Sequence, residues 1–134
     1  MDAYTIRQLD DDNAILLVFH PSYRVWEDSP QSELKALYAA LPEPYHFIVD
    51  FSERNLTLED MLQIATAATR MEGALLKSPK VDRVFVVTQN DIMQAAARGL
   101  NAPIFGSFSV EVYGTLDEVL EALRDGAVKL RKAS

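Results

Sequence analysis

Short runs of apolar residues, separated by polar turn formers, divide the chain into predicted strands. Ala14–Phe19 is apolar at every position rather than at alternate ones, which is typical of a strand covered on both faces in an α/β sheet. Three aspartates and an asparagine at 10–13 precede it, and a weaker strand signal at 4–9 lies before them, so a hairpin is expected. Three further apolar runs complete the predicted strands: 46–51, 81–87 and 110–113.

Apolar residues at helical spacing fill the segments between these strands. Ser29 and Pro30 form a predicted N-cap and first helical position, and leucines recur at helical spacing after them. Thr57 stands three residues before Asp60 in a near capping box. It opens the longest predicted helix, whose apolar stripe continues to residue 76.

Two more helices are predicted after the fourth strand. Residues 91–98 are rich in alanine, and the capping box at 115–118 opens a last helix with leucines on one face. The order ββαβαβαβα needs crossover helices, so we expect an α/β fold: a five-stranded, mostly parallel sheet with an antiparallel first strand and four helices. Residues 1–126 form one predicted domain, and 127–134 form the basic end of the last helix or a tail.

The C-terminal half carries the most specific resemblance to a known family. Phe108–Tyr113 is followed by Asp117–Leu123, Trp26 stands ahead of the first predicted helix, and His46–Asp50 stands ahead of a long one. This arrangement resembles the SpoIIAA-like group of the STAS superfamily, named for sulfate transporters and anti-sigma-factor antagonists. The resemblance covers nearly the whole chain. It implies a STAS-like sheet domain that acts by binding proteins, or sometimes small apolar or nucleotide ligands, and rarely as a catalyst.

One departure from that family bears on regulation. Phosphorylatable members carry an Asp-Ser-Ser-Gly-like turn between the third strand and the second helix, whereas residues 50–60 here lack the Ser-Gly pair. A phosphorylation switch of that type is therefore not expected. Ser52 and Thr57 still occupy the corresponding region and stay among the candidate sites.

Composition and charge exclude several classes of chemistry. The 134 residues are 49% apolar, enough for one core, and contain no cysteine, so disulfides and thiol nucleophiles are excluded. A net charge of −7 repels nucleic acid and anionic bilayers, so neither is an expected partner. The longest apolar run is too short to span a membrane, and residues 1–4 lack the basic start of a secretory signal, which predicts a cytoplasmic protein.

Polar side chains are expected outside the C-terminal ends of the parallel strands, where ligands bind in open α/β sheets. The candidates there are His20, Arg24, Ser52, Arg54, Asn55, Thr57, Gln89 and Asn90. Two arginines near the start of the second helix favour an anionic ligand. The alternative is turn and helix-cap chemistry for every one of these residues, with Thr57 as an N-cap.

No catalytic set or cofactor motif is recognisable in the sequence. His20 ends the second predicted strand and His46 begins the third, so a joint metal site is not expected. A helix- or loop-capping role is expected for His20, and the alternative is a general base that Asp50 would orient if both strand ends met at a shared edge. Phosphate loops and a Gly-x-Ser-x-Gly elbow are missing, so we expect no cofactor and no enzyme activity.

An apolar loop at 102–108 carries Ile104 and Phe105, where surface residues are normally polar. These side chains either pack beneath the loop or form a partner surface or apolar pocket shared with the second helix. The sequence thus predicts a non-catalytic regulatory or scaffold domain that forms a homodimer or docks a protein through its second and third helices and this loop. The alternative is a domain that binds a small apolar or anionic ligand at the strand C-terminal edge.

Overall fold

A computed structural model describes residues 3–24, 30–69, 76, 78–99 and 110–133 of the chain. The strands are β1 (Tyr4–Leu9), β2 (Ala14–Phe19), β3 (Tyr45–Asp50), β4 (Val81–Val87) and β5 (Val110–Tyr113). The helices are α1 (Gln31–Ala39), α2 (Leu58–Thr69), α3 (Asp91–Arg98) and α4 (Leu116–Ala133). The backbone at 127–133 therefore continues the last helix.

The strands form one sheet in the order β1-β2-β3-β4-β5. β1 is antiparallel to β2, and every other neighbouring pair is parallel. This confirms the predicted α/β fold. Val18 pairs with Asp50 and Asp50 pairs with Val87, so the C-terminal ends of β2, β3 and β4 are level and form one edge.

Three helices cover one face of the sheet, and α4 covers the other. Each crossover steps one strand further in the same direction, and a common right-handed crossover places its helix on the same side every time. The core on that side includes Leu34 of α1, Met61 of α2 and Met93 of α3. The core on the opposite face contains Val119 and Leu123 of α4.

β2 shows why a strand in this position is apolar throughout. Ile15 and Leu17 are buried on the side of α1, α2 and α3, while Ala14 and Leu16 are buried on the side of α4. Full burial of one such large aliphatic side chain contributes about 1.5–3 kcal/mol to stability. The predicted coverage of this strand on both faces is therefore confirmed.

The predicted turn between β1 and β2 is also present. Asp10–Asp12 forms a 3-10 turn, and Asn13 follows it in the left-handed conformation with φ of 48°. Asparagine tolerates a positive φ better than most residues, because its short polar side chain bonds locally. The backbone N–H of Asn13 closes the turn by donating to the carbonyl of Asp10 at 3.3 Å.

Two helix boundaries differ from the sequence prediction or lie beyond the described part. α1 begins at Gln31, one residue later than predicted, and Pro30 precedes it with helical dihedrals and a carbonyl that accepts from Leu34 at 2.9 Å. The predicted N-cap, Ser29, is outside the described residues. The same holds for the predicted stretch of α2 at 70–75.

Candidate functional site

The level C-terminal ends of the parallel strands bring most of the predicted site residues to one edge of the sheet. His20 follows β2, the segment 51–57 follows β3, and Gln89 and Asn90 follow β4. Arg24, Ser52, Asn55 and Gln89 are exposed there. Ile104 and Phe105 lie outside the described residues, so the role of the 102–108 loop stays a prediction.

His20 is held between two side chains that the sequence did not single out. Its Nε2 lies 2.6 Å from the hydroxyl oxygen of Thr5 on β1, and its Nδ1 lies 3.4 Å from a carboxylate oxygen of Glu53. Its backbone N–H donates to the carbonyl of Ala3 at 2.9 Å. The imidazole is 25% exposed, so it stays within reach of solvent.

Asp50 does not take the orienting role that the general-base alternative for His20 requires. Its side chain is buried, and its Oδ1 accepts the backbone N–H of Ser52 at 2.8 Å. This bond over two residues is an Asx turn, which competes with longer-range partners for the carboxylate. The carboxylate that reaches His20 belongs to Glu53, three residues further along.

Arg54 is engaged with the backbone rather than presented to a ligand. Its Nε donates to the carbonyl of Tyr23 at 3.2 Å, and its guanidinium also donates to the carbonyl of Asn55. These bonds tie the loop after β2 to the loop after β3. Arg54 thus has a structural role at this edge, which was the alternative to anion binding.

Two predicted site residues cap helices. The hydroxyl oxygen of Thr57 accepts the backbone N–H of Asp60 at 3.1 Å, which confirms its predicted role as the N-cap of α2. The Oδ1 of Asn90 accepts the backbone N–H of Met93 at 3.0 Å and caps α3. Each cap satisfies an N–H group at the helix N-terminus that an anion would otherwise use.

The starts of α2 and α3 are joined behind this edge. The backbone N–H of Leu56 donates to the sulfur of Met93 at 3.3 Å, and the hydroxyl of Thr88 lies 3.8 Å from the same sulfur. Gln94 reaches back to the carbonyl of Thr88 at 2.8 Å. Met93 and Thr88 are fully buried, so this junction belongs to the core.

The outer surface of α2 and α3 carries the large exposed apolar side chains of the described residues. Leu62 on α2 is 47% exposed and Ile92 on α3 is 61% exposed. The neighbouring methionine on each helix, Met61 and Met93, is buried. The two helices pack against each other, so both exposed side chains belong to neighbouring helices.

A second polar cluster lies at the opposite end of the sheet, around an irregularity in β4. Tyr45 pairs with Val81 but Phe47 pairs with Val84, so β4 carries one extra residue there, as in a β-bulge. The bulge places two charged residues, Asp82 and Arg83, opposite the start of β3.

Aromatic and charged groups of β4 and β5 surround His46 at the bulge. The side chain of Arg83 donates from Nε to Glu111 at 2.9 Å, and its guanidinium carbon lies 4.9 Å from the centre of the Phe85 ring. The His46 ring meets Phe85 edge-on with ring centres 5.9 Å apart. The hydroxyl of Tyr113 donates to the other oxygen of Glu111 at 3.3 Å.

The environment of His46 disfavours its charged form. Its Nδ1 is buried without a hydrogen bond, and the nearest carboxylate, of Asp82, lies 3.7 Å away. Burial is the largest effect and lowers the pKa of His46, Asp82 opposes it, Arg83 adds to it, and Glu111 again opposes it. His46 lies opposite Ala14 at the start of β2, so the structure does not bring it together with His20.

The described ranges hold no candidate metal site and no candidate membrane span. There, no three His, Asp or Glu side chains are grouped so that they could share a metal ion. Among the helices of the same ranges, none is both long and apolar enough to cross a membrane.

Sequence reasoning overlooked Thr5 and Glu53, although a signal for the first was available. The turn at 10–13 sets the hairpin register, which places Thr5 opposite Val18 and next to the end of β2. No comparable signal marks Glu53, because the sequence pattern does not specify where the side chain of a turn residue points. The exposure of Leu62 and Ile92 was also hidden, since both stand beside core positions in predicted helices.

No known protein family, no curated protein and no solved structure matches this chain.

Proposed function

We infer that this protein is a SpoIIAA-like, non-catalytic regulatory or scaffold domain of the cytoplasm that acts by binding a protein, either a partner or a second copy of itself. The observation that carries this proposal is the pair of exposed apolar side chains on packed neighbouring helices, Leu62 on α2 and Ile92 on α3. The binding surface is the outer row of these two helices.

Leu62 and Ile92 leave apolar surface area in contact with water. Burial of a large aliphatic side chain contributes about 1.5–3 kcal/mol when it is complete. A single exposed leucine is ordinary on a protein surface, but here two large exposed apolar side chains lie on helices that pack against each other. A protein that covers both Leu62 and Ile92 would recover much of this energy, which favours an interaction surface at this position.

The polar edge supports a structural role more than the alternative, a bound small molecule. Arg54 donates to two backbone carbonyls, and Thr57 and Asn90 cap helices. A ligand that used these groups would first have to break the bonds that hold the loops and helix starts. The ligand alternative is therefore kept as an outcome of the experiment.

The test compares the wild-type chain with the double variant Leu62→Ser, Ile92→Ser. Sedimentation velocity measures self-association, and crosslinking in cell extract followed by mass spectrometry measures heterologous partners. We expect the double variant to lose either self-association or the binding of heterologous partners. Its unfolding free energy should change by no more than about 0.5 kcal/mol per site, because both positions are exposed. Ala39→Ser on the exposed surface of α1 is the matched control and is expected to keep both.

Two outcomes would contradict the proposal. The first is a double variant with unchanged self-association and an unchanged set of crosslinked proteins. The second is a small molecule that native mass spectrometry finds on the wild-type protein and that Arg54→Gln releases. The second result would favour the ligand alternative at the strand edge.

A further inference from the structure

Three side chains from separate segments meet at the C-terminal edge of the sheet. Thr5 lies on β1, His20 directly follows β2, and Glu53 lies in the loop after β3. The Thr5 hydroxyl oxygen is 2.6 Å from Nε2 of His20, and a Glu53 carboxylate oxygen is 3.4 Å from Nδ1. The imidazole therefore stands between a hydroxyl and a carboxylate.

The chemistry of the three groups determines where the proton lies. A carboxylate only accepts hydrogen bonds, so the bond to Glu53 requires the proton on Nδ1 of His20. In the neutral imidazole, Nε2 is then the unprotonated nitrogen and accepts from the Thr5 hydroxyl. This is the order in which a hydroxyl nucleophile, its general base and an orienting carboxylate are arranged for acyl transfer.

The sheet holds the hydroxyl and the imidazole in this relation. Thr5 pairs with Val18 across the β1–β2 ladder, and the backbone N–H of His20 extends that ladder to Ala3 at 2.9 Å. A geometry fixed by paired strands is kept better than one fixed by two loops. Thr5 and His20 are partly exposed and Glu53 is 51% exposed, so a small reagent can approach the hydroxyl.

Two other threonines of the described residues provide a contrast. The hydroxyl of Thr115 donates to a carboxylate oxygen of Glu118 at 3.2 Å, and the hydroxyl of Thr66 donates to the carbonyl of Leu62 at 2.8 Å. Neither faces an imidazole. Thr5 is thus distinguished by its base, and not by exposure alone.

We propose that Thr5 is an acylation site that takes an acyl group from a donor with a good leaving group, such as an activated ester or a thioester. The Thr5 oxygen forms a bond to the acyl carbon while the bond from that carbon to the leaving group breaks. The hydroxyl proton passes to Nε2 of His20 and then to the leaving group, and Glu53 stabilises the intermediate imidazolium. The products are an ester on Thr5 and the free alcohol or thiol. The reaction modifies the protein once and is independent of the binding surface on α2 and α3.

The experiment treats the full chain with p-nitrophenyl acetate. Release of p-nitrophenolate measures the total reaction, and fragment mass spectrometry assigns the acetyl group to individual residues. General-base assistance contributes about 10²–10⁴-fold, so Thr5 is expected to be acetylated at least about 100-fold faster than Thr115 in the same molecules. Lysine acetylation in the same digest reports the reactivity of the reagent.

Three variants test the assignment. Thr5→Val removes the acetylated site, and His20→Gln is expected to lower the rate at Thr5 by at least about 100-fold while the rate at Thr115 is unchanged. Glu53→Gln is expected to lower the rate at Thr5 by a smaller factor, and its exposed position makes it the deciding variant if His20→Gln does not fold. Circular dichroism and thermal unfolding check the fold of each variant.

The proposal is overturned if Thr5 is acetylated no faster than Thr115. It is also overturned if a folded His20→Gln, or in its absence Glu53→Gln, reacts at Thr5 at the wild-type rate.

Discussion

The two histidines of this protein lie at opposite ends of the same sheet in opposite environments. His20, at the C-terminal edge, has a hydrogen-bonding group at each ring nitrogen. His46, at the N-terminal end of β3, packs edge-on against Phe85, and its buried Nδ1 makes no hydrogen bond. One ring is therefore held by polar partners and the other by apolar packing.

The comparison shows that side chains at the two ends of the sheet are stabilised in different ways. At the C-terminal edge, loops meet, and their polar side chains are satisfied by caps, turns and the bonds of His20. At the β4 bulge, side chains of the strands cover Phe85 themselves, because Arg83 and His46 both lie against its ring. We therefore expect substitutions at the two ends to differ in the size of their effect on stability and in how that effect depends on pH.

The largest effect on stability is expected when the aromatic ring that packs against His46 is removed. Phe85 is fully buried, so Phe85→Ala leaves a cavity and is expected to lower the free energy of unfolding by about 3–5 kcal/mol. Urea denaturation measures the loss, with Ile92→Ala as an exposed control that changes it by less than about 0.5 kcal/mol. A loss below about 1 kcal/mol for Phe85→Ala would contradict the packing role of this ring.

At the C-terminal edge the corresponding expectation is smaller, because a cap rather than a core ring is lost. Asn90→Ala leaves the Met93 N–H at the start of α3 without its acceptor and is expected to cost about 1 kcal/mol. Gln89→Ala, at the exposed neighbouring position, is the matched control with little expected change. Equal stability of the two variants in urea denaturation would show that the cap contributes nothing.

The ion pair at the bulge offers a still smaller effect that sharpens the comparison. Arg83 and Glu111 are both partly exposed, so Glu111→Gln is expected to cost less than about 1 kcal/mol, and salt should reduce this cost. The Glu111 carboxylate also raises the pKa of His46, so the variant should lower that pKa further. An NMR titration of the imidazole measures it, and an unchanged or higher pKa would contradict the coupling.

The smallest expected effect is the pH dependence that His46 adds to stability. Burial places its pKa in the folded protein below the ordinary value of 6.5, at which the unfolded chain titrates. Between these two values the unfolded state binds more protons, so stability falls as pH decreases from above 6.5 through the lower pKa. The effect is modest because the side chain remains 19% exposed.

Thermal unfolding at a series of pH values measures this contribution. His46→Gln is expected to remove it, and His20→Gln is expected to leave it in place. A His46→Gln variant with the full wild-type slope below pH 6.5 would assign the effect to another group.

The elements that are determined by residues close together in the sequence could be predicted. The continuous apolar run of β2 and the spacing of Thr57 and Asp60 are local patterns, and the structure contains both the buried strand and the cap. The start of α1 was misplaced by one residue, because proline suits the first helical position as well as the position before it.

The contacts within the candidate site could not be predicted, because no local sequence pattern specifies them. Asp50 and Glu53 both follow β3, and the sequence does not show that Asp50 closes its own turn with Ser52 while Glu53 reaches His20. The bulge in β4 is equally hidden, since neither glycine nor proline marks it. Such features arise from packing between distant segments, which a single sequence does not encode in its spacing.

The stepwise strand order bears on how the chain folds as it is synthesised. Each parallel strand pairs with the strand before it after a single crossover, so the sheet can be extended strand by strand in the order of translation. α4 then returns across the second face, where Arg124 reaches Asp12, 112 positions earlier in the chain. Until that helix has been made, Leu16 and Ile48 stay uncovered on the nascent sheet, so the burial of this face is completed only when the C-terminal end of the chain packs onto it.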